Sequence, residues 1–471
     1  MRDHIAGSTG RRAANEGAGA GAAAGKPFVG DAGTALETGQ DKAAAGLGMV
    51  LFALASGFVI GLLVWAVFWL SSELTKLLWN DAYQVLAGAL ADAGIPSWWM
   101  PVAFCTLGGL VIGLWTARFG GAPEPLEKVM ASVKESGGYT LKNPLASVVG
   151  FLLPLVFGGS VGPEAGLTGI IAAACTKIGT ALKGAGLRVV GLADVTVSAA
   201  LSAVFATPFA GIVATAQDAM PQGEQPGGQA PRPEDYTLRR NAKLVLYTAA
   251  ALGAVAGVVV FTTVFGKESG MPRFEGITPG INKLWWVFPC LAAGYAGALL
   301  FHCGEAGFSA LSRRLEGRTV LKPVIAGLVI GCLAVPLPYV LFPGEAQAFE
   351  LMQQWQELAP LALLATGLAK CLATPLCLKL GWGGGHFFPC IFAGIAAGYG
   401  LAGLLGMEPM FAVAITTATL LGGVQRKPLA ALALLLLCFP VESVVWMGIA
   451  CVLGAALPVP SPAILRKGES A

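Results

Sequence analysis

Long apolar runs, separated by short polar or glycine- and proline-bearing breaks, make up most of this chain. They cover 43–70, 100–117, 165–178, 189–216, 244–265, 284–300, 324–342, 361–378, 387–405, 411–421 and 429–457. A helix that crosses the hydrocarbon of a bilayer needs about 20 apolar residues. The pattern therefore predicts an all-α polytopic membrane protein with about ten or more membrane helices. Several runs are too short for a full span, and several are longer and interrupted. Broken helices are common where a membrane protein lines a polar path.

Composition sharpens this. Of 471 residues, 55% are hydrophobic and 12% charged, against about 25% charged in a soluble domain. Mean hydropathy is +0.70. These values exclude a soluble enzyme, a disordered chain and a nucleic-acid-binding domain. The net charge of +3 is too small to imply a polyanionic partner. Cysteines such as Cys105, Cys175, Cys290, Cys332, Cys371, Cys438 and Cys451 sit inside apolar runs, and no CxxC occurs. They read as small buried hydrophobes. The histidines are His4, His302 and His386, with no His/Asp/Glu cluster. No metal site, cofactor or enzymatic activity is predicted.

The chain divides into a mobile N-terminal tail (1–42), a first membrane segment (43–219), a basic loop (220–243), a second membrane segment (244–465) and a short tail (466–471). Arg239, Arg240 and Lys243 in the loop, Arg11 and Arg12, and Arg466 and Lys467 predict that the loop and both termini are cytoplasmic. The Trp98-Trp99 and Trp285-Trp286 pairs predict membrane–water interfaces.

An internal repeat points to the site. GGSVGPEAGLTGIIAAA begins at Gly158 and GGHFFPCIFAGIAAG at Gly384, 226 residues apart. A second echo, around Pro208 and Pro428, has an offset of 220. Each first-pair segment reads Gly-Gly, three residues, Pro, then a small-residue helix. Glycines let backbone approach a ligand, and proline fits the first helical position. Helix N-termini attract anions through free N–H groups and the positive dipole end. The expected anion path lies where Gly158 to Pro163 meets Gly384 to Pro389, with the amides of Ser160, Gly162, His386 and Phe387 as donors. Repeats of this kind are often inverted, with the site at their interface.

Here the residues resemble a known family, the CLC chloride channels and chloride/proton antiporters. GGSVGP resembles the family's Gly-Arg/Lys-Glu-Gly-Pro hallmark, and GGHFFP its Gly-x-Phe-x-Pro hallmark through Gly385, Phe387 and Pro389. Residues 201–218, Lys370 with Thr374, and Arg426 to Ala430 are also similar. The resemblance covers roughly residues 44–465 and implies two inverted halves of tilted and broken helices. It also implies a homodimer in the plasma or inner membrane, contacting lipid, with one path for chloride or a similar small anion per subunit. Carried over to this chain, the anion-binding positions are Gly159, Ser160, Gly162, Pro163, Gly385, His386, Phe387 and Pro389. Two further positions match less directly. FGGAPEP, around Gly121, stands for the family's first hallmark, with Gly120 where the family has a serine. Ser461 lies nearest the family's C-terminal tyrosine.

The departures carry a prediction. The family's gating glutamate is Val161 here, which has no titratable group. A passive anion channel without proton coupling is the first expectation, with transport only weakly dependent on pH. The alternative is a chloride/proton antiporter with Glu164 as a displaced gate and Asp218 as an inner proton site, or His386 as a further titratable group. A third possibility is a membrane protein that reuses the fold without transport.

Overall fold

The computed structural model describes residues 39–120, 129, 132, 139–141, 143–184, 199, 202–203, 240–265, 271–277, 281–436 and 438–459. Among them the structure is helical throughout, with a single isolated β-bridge.

The first helix, α1 (Gly39–Lys76), passes through a π-turn (Leu77–Ala82) into α2 (Tyr83–Asp92). At 38 residues α1 is roughly 57 Å long, well beyond a hydrocarbon core of about 30 Å. The first predicted run, 43–70, is thus only the middle of a longer rod. After α3 (Met100–Phe119) come α4 (Pro144–Val156), α5 (Glu164–Gly184) and α6 (Arg240–Phe265). Helix α4 is absent from the apolar runs above. Its 13 residues are too few for a span, and it opens on an Asn143 cap whose side chain accepts the Ala146 N–H. Helix α6 begins at Arg240, so the basic end of the predicted loop is already helical.

The second half holds α7 (Val287–Arg314), α8 (Leu321–Ala334), α9 (Glu345–Gln354), α10 (Pro360–Lys379), α11 (Phe387–Leu405), α12 (Pro409–Gln425), α13 (Pro428–Leu435) and α14 (Val444–Ala456). The predicted run 429–457 is two helices, parted near Pro440, which has no N–H to continue the first. Helix α9 carries Glu345, Glu350 and several Gln, so its composition hid it among the apolar runs.

Among the described residues six helical stretches are long and apolar enough to cross a membrane, and outward-facing side chains such as Val85, Leu145, Val264 and Phe288 are strongly exposed. An apolar outer surface of this kind is solvated by lipid tails. The protein is an integral membrane protein. Trp98 and Trp285 are also exposed, whereas Trp99 and Trp286 are half-buried. The buried cysteines behave as small hydrophobes, but Cys332 is exposed on α8, against expectation, because it falls on that helix's outer face.

With lipid on the outside, helices must associate by close packing rather than by excluding water. Two pairs do so through facing small-residue repeats. On α1 and α6, a Cβ added at Gly57 or Gly61 would lie 2.1 Å from the carbonyl oxygen of Ala250 or Ala254. On α3 and α8, Gly109 and Gly327 are equally close to Pro323 and Cys105 backbone, at 2.2 and 2.1 Å. Backbones this near leave no room for side chains.

Candidate anion site at two helix N-termini

The two glycine motifs, far apart in sequence, are joined directly. Gly162 donates its N–H to the Gly385 carbonyl at 2.8 Å, and Gly385 donates to Gly162 at 2.7 Å. This antiparallel exchange sets the start of α5 beside the start of α11, as the repeat predicts. It also changes one expectation: the Gly162 amide is engaged by Gly385 and is not an open donor.

The prolines sit differently from expectation. The Pro163 carbonyl accepts the first intrahelical bond, from Leu167 N–H, so Pro163 caps α5 and Glu164 is its first residue. In α11 the cap is His386 and Pro389 is the third residue. The first position of α11 is held by Phe387, which has the N–H that a proline there would lack.

That N–H is where Glu164 points. The Phe387 amide donates to Glu164 Oε1 at 2.7 Å, and the amides of Phe388 and of Glu164 itself also act on the carboxylate. The carboxylate lies in a notch made by the bridge. A Cβ at Gly162 would meet Oε2 at 2.0 Å, and one at Gly385 would meet Oε1 at 2.0 Å. Glu164 is 1% exposed, and its Oε2 has no hydrogen-bond partner. A negative group held by the positive ends of two helices occupies the place an anion would choose. A short charge-assisted bond of this kind is among the stronger ones.

Val161 is fully buried and packs where a Gly384 side chain would otherwise be, its Cβ 2.6 Å from that position. It seals one wall and offers no charge. Ser160 Oγ donates to Thr374 Oγ1 at 3.1 Å, because the Thr374 hydroxyl proton already goes to the Lys370 carbonyl at 3.0 Å. The Ser160 backbone amide faces the Cys377 sulfur. The Gly159 amide donates to the Pro154 carbonyl at 2.7 Å. On His386, Nε2 meets the Gln425 side-chain amide nitrogen at 2.8 Å, so the ring is held by α12.

Beside the site is a strut that the sequence did not reveal. The Phe342 N–H donates to the Gly158 carbonyl at 3.1 Å. From α10, Lys370 Nζ directs its three N–H groups at four carbonyls, those of Tyr339, Val340, Leu341 and Phe342, at 3.2, 3.1, 3.0 and 2.7 Å, so at least one donor is shared. Its ammonium lies 4.9 Å from the Phe392 ring centre. Among the described residues, Glu164 and Lys370 are the fully buried side chains of charged type, and such groups in a membrane are costly unless function or pairing retains them. The signal for Lys370 was an isolated lysine within an apolar run. Directly after the strut, Gly344 (φ 108) turns the chain into α9, and Glu345 at the first turn of α9 lies within electrostatic reach of Glu164.

Gly121, Asp218 and Ser461 lie outside the described residues, as do Pro208, 1–38 and 220–239. Gly120 ends α3 in a left-handed conformation (φ 67) with open space beyond it. Among the described residues no group of His, Cys, Asp and Glu is arranged to hold a metal ion.

A family model for the voltage gated chloride channel matches residues 108–458, and the chain therefore belongs to that family. A curated relative, chloride channel protein CLC-e of Arabidopsis thaliana, is 24% identical over 81% of this chain and 56% of its own length. The chain thus spans about half of that relative. Among solved structures, a slow cyanobacterial Cl-/H+ antiporter superposes with a TM-score of 0.68 at 18% identity, covering 90% of this chain and 97% of the other. A CLC-type fluoride/proton antiporter gives 0.60 at 19%, covering 89% and 96%. A eukaryotic CLC transporter gives 0.61 at 17%, covering 87% and 71%. These likenesses establish the fold: two inverted halves of tilted and broken helices.

Proposed function

We propose that the protein carries chloride or a similar small anion across the membrane as a homodimer. The path in each subunit passes between the N-termini of α5 and α11, and Glu164 is its gate. The observation that carries this is the 2.7 Å bond from Phe387 N–H to Glu164 Oε1. An anion in the path and the Glu164 carboxylate need the same donor. When ionised, the carboxylate is a tethered competitor for the permeating ion. When protonated, it loses its charge and its hold on the amide, and the anion takes its place.

Passive flow down the electrochemical gradient is the first reading, since Val161 at the family's gate position binds no proton. One observation favours coupled exchange as the second: the group that blocks the path is itself titratable. Purified protein in liposomes separates the two. Chloride efflux and internal pH are recorded together under a fixed chloride gradient. Efflux without proton movement supports passive flow. Proton uptake driven by chloride, abolished in Glu164→Gln, supports exchange. If Glu164→Gln retains wild-type pH dependence, Glu164 is not the gate.

A further inference from the structure

The side chain of His386 is turned away from the helix it begins and toward α12. We propose that Gln425 is a positioning residue of the anion site: by occupying the acceptor nitrogen of the His386 imidazole, it keeps that ring off the first amides of α11 and leaves them to Glu164 and to an anion. The proposal rests on the anion site described above and adds what keeps its donors open.

Those donors are scarce. An α-helix begins with amides that have no partner inside it. In α11 the cap is His386, Phe387 and Phe388 follow, and the third residue is Pro389, which has no N–H. The Cys390 N–H already goes to the His386 carbonyl at 3.0 Å. The amides of Phe387 and Phe388 are thus the pair with no partner within the helix, and both act on the Glu164 carboxylate. A capping side chain takes the amide of the second or third helical residue. With proline third, the Phe388 N–H is the one in reach. The His386 side chain makes no such bond.

The reason lies on α12. Gln425 Nε2 donates to His386 Nε2 at 2.8 Å. A neutral imidazole has one donor and one acceptor nitrogen, so this bond uses the acceptor. The rings of Phe301, on α7, and of Phe387 stand 5.6 and 4.7 Å from the imidazole, centre to centre.

The packing of α11 on α12 sets this meeting. A Cβ at Gly398 would lie 2.5 Å from Val413 Cα, and one at Gly394 would lie 2.5 Å from Thr417 Cα. Four residues toward the start of α11 are therefore matched by four toward the end of α12. The same register, carried on to the helix ends, places His386 opposite Gln425, the last residue of α12. Among the described residues, the other titratable or charged groups around the imidazole have partners of their own. Glu164 of α5 is held by Phe387, His302 of α7 meets the Gly423 carbonyl at 3.1 Å, and Arg426 beyond α12 reaches the Leu457 carbonyl.

Without Gln425 the neutral ring keeps an acceptor and loses its donor. It then competes with the anion for the Phe388 amide. Protonation leaves the ring with donors alone and ends the competition.

The test is chloride binding by isothermal titration calorimetry in Glu164→Gln protein, where no tethered carboxylate fills the amides. Adding Gln425→Leu should weaken binding roughly threefold to tenfold at about pH 8, the effect of a capping interaction. The loss should vanish at about pH 5, on the acid side of the ordinary histidine value of about 6.5. In a His386→Ala background, which keeps the backbone amide, Gln425→Leu should have no effect. No loss at about pH 8, an equal loss at both pH values, or an equal loss in the His386→Ala background each overturns the proposal. Should Gln425→Leu fail to fold, His386→Ser decides. Serine is a preferred cap, so chloride should bind His386→Ser more weakly than His386→Ala by a similar factor, and equal binding overturns the proposal. If Glu164→Gln protein binds no chloride at either pH, the anion site itself is rejected.

Discussion

The Glu164 carboxylate and the Phe387 amide are 223 residues apart in sequence and joined by a 2.7 Å hydrogen bond. The bond exists because Gly162 and Gly385 leave the notch in which the carboxylate lies. Adding one methyl group to that notch should expel it. Gly385→Ala places a Cβ 2.0 Å from Oε1, and the carboxylate, at the end of a flexible side chain, yields more readily than the backbone. Chloride efflux at neutral pH should rise, and its pH dependence should flatten toward that of Glu164→Gln. Unchanged efflux and pH dependence in a folded Gly385→Ala would contradict the tethered-competitor reading.

Lys370→Met should cost stability rather than selectivity. The substitution keeps apolar bulk but leaves four carbonyls, two of them in buried bonds and two in part-buried ones, without their shared donor. Losing one partner of a buried polar cluster costs on the order of 3 kcal/mol. A lowered thermal midpoint in detergent, with anion preference unchanged where the protein remains folded, is the expected result. A midpoint equal to wild type would remove Lys370 from its place as the anchor of the strut.

Thr374→Val tests the hydroxyl pair beside the site. It removes the acceptor of Ser160 Oγ and the donor to the Lys370 carbonyl. The cost should be about 1–3 kcal/mol, the range for stranding a buried hydrogen-bonding group. Ser160→Ala together with Thr374→Val should be less damaging than the sum of the two single changes, since both partners are then apolar. Thermal unfolding of the four proteins measures this directly.

Gly57→Leu should disrupt the α1–α6 contact. Its Cβ alone would be 2.1 Å from the Ala250 carbonyl oxygen, and this obstacle is backbone and cannot swing aside. Loss of monodisperse protein on gel filtration is expected. Gly48→Leu on the same helix, where nothing lies within 4 Å, should be tolerated.

Much of this was legible in the sequence. The apolar runs gave the class of protein, and the repeated Gly-Gly motifs located the meeting of the two halves, because both are local patterns. That Glu164 belongs to this site was legible as an alternative, since a carboxylate follows Pro163 directly. What the sequence could not give was the partner of each group. That Glu164 reaches Phe387, or that Lys370 lies against four carbonyls, depends on how segments hundreds or tens of residues apart are brought together. Helix α9 escaped because its polar composition matches neither a span nor a loop. Helix α4 escaped because it is short. The proline positions were misread by one residue at Pro163 and by two at Pro389, since backbone hydrogen bonding, not the proline itself, decides where α5 and α11 begin.

The bridge between Gly162 and Gly385 bears on speed. Its two bonds fasten the starts of α5 and α11 together beside Glu164, so separating them there would break both at once. Under the proposed gating, the moving part at this point is one side chain. Rotamer changes run on picoseconds to nanoseconds when unhindered, whereas collective hinge motions take microseconds to milliseconds. If Glu164 is the gate we propose, turnover is limited by how often that carboxylate acquires a proton, not by how fast the helices can rock.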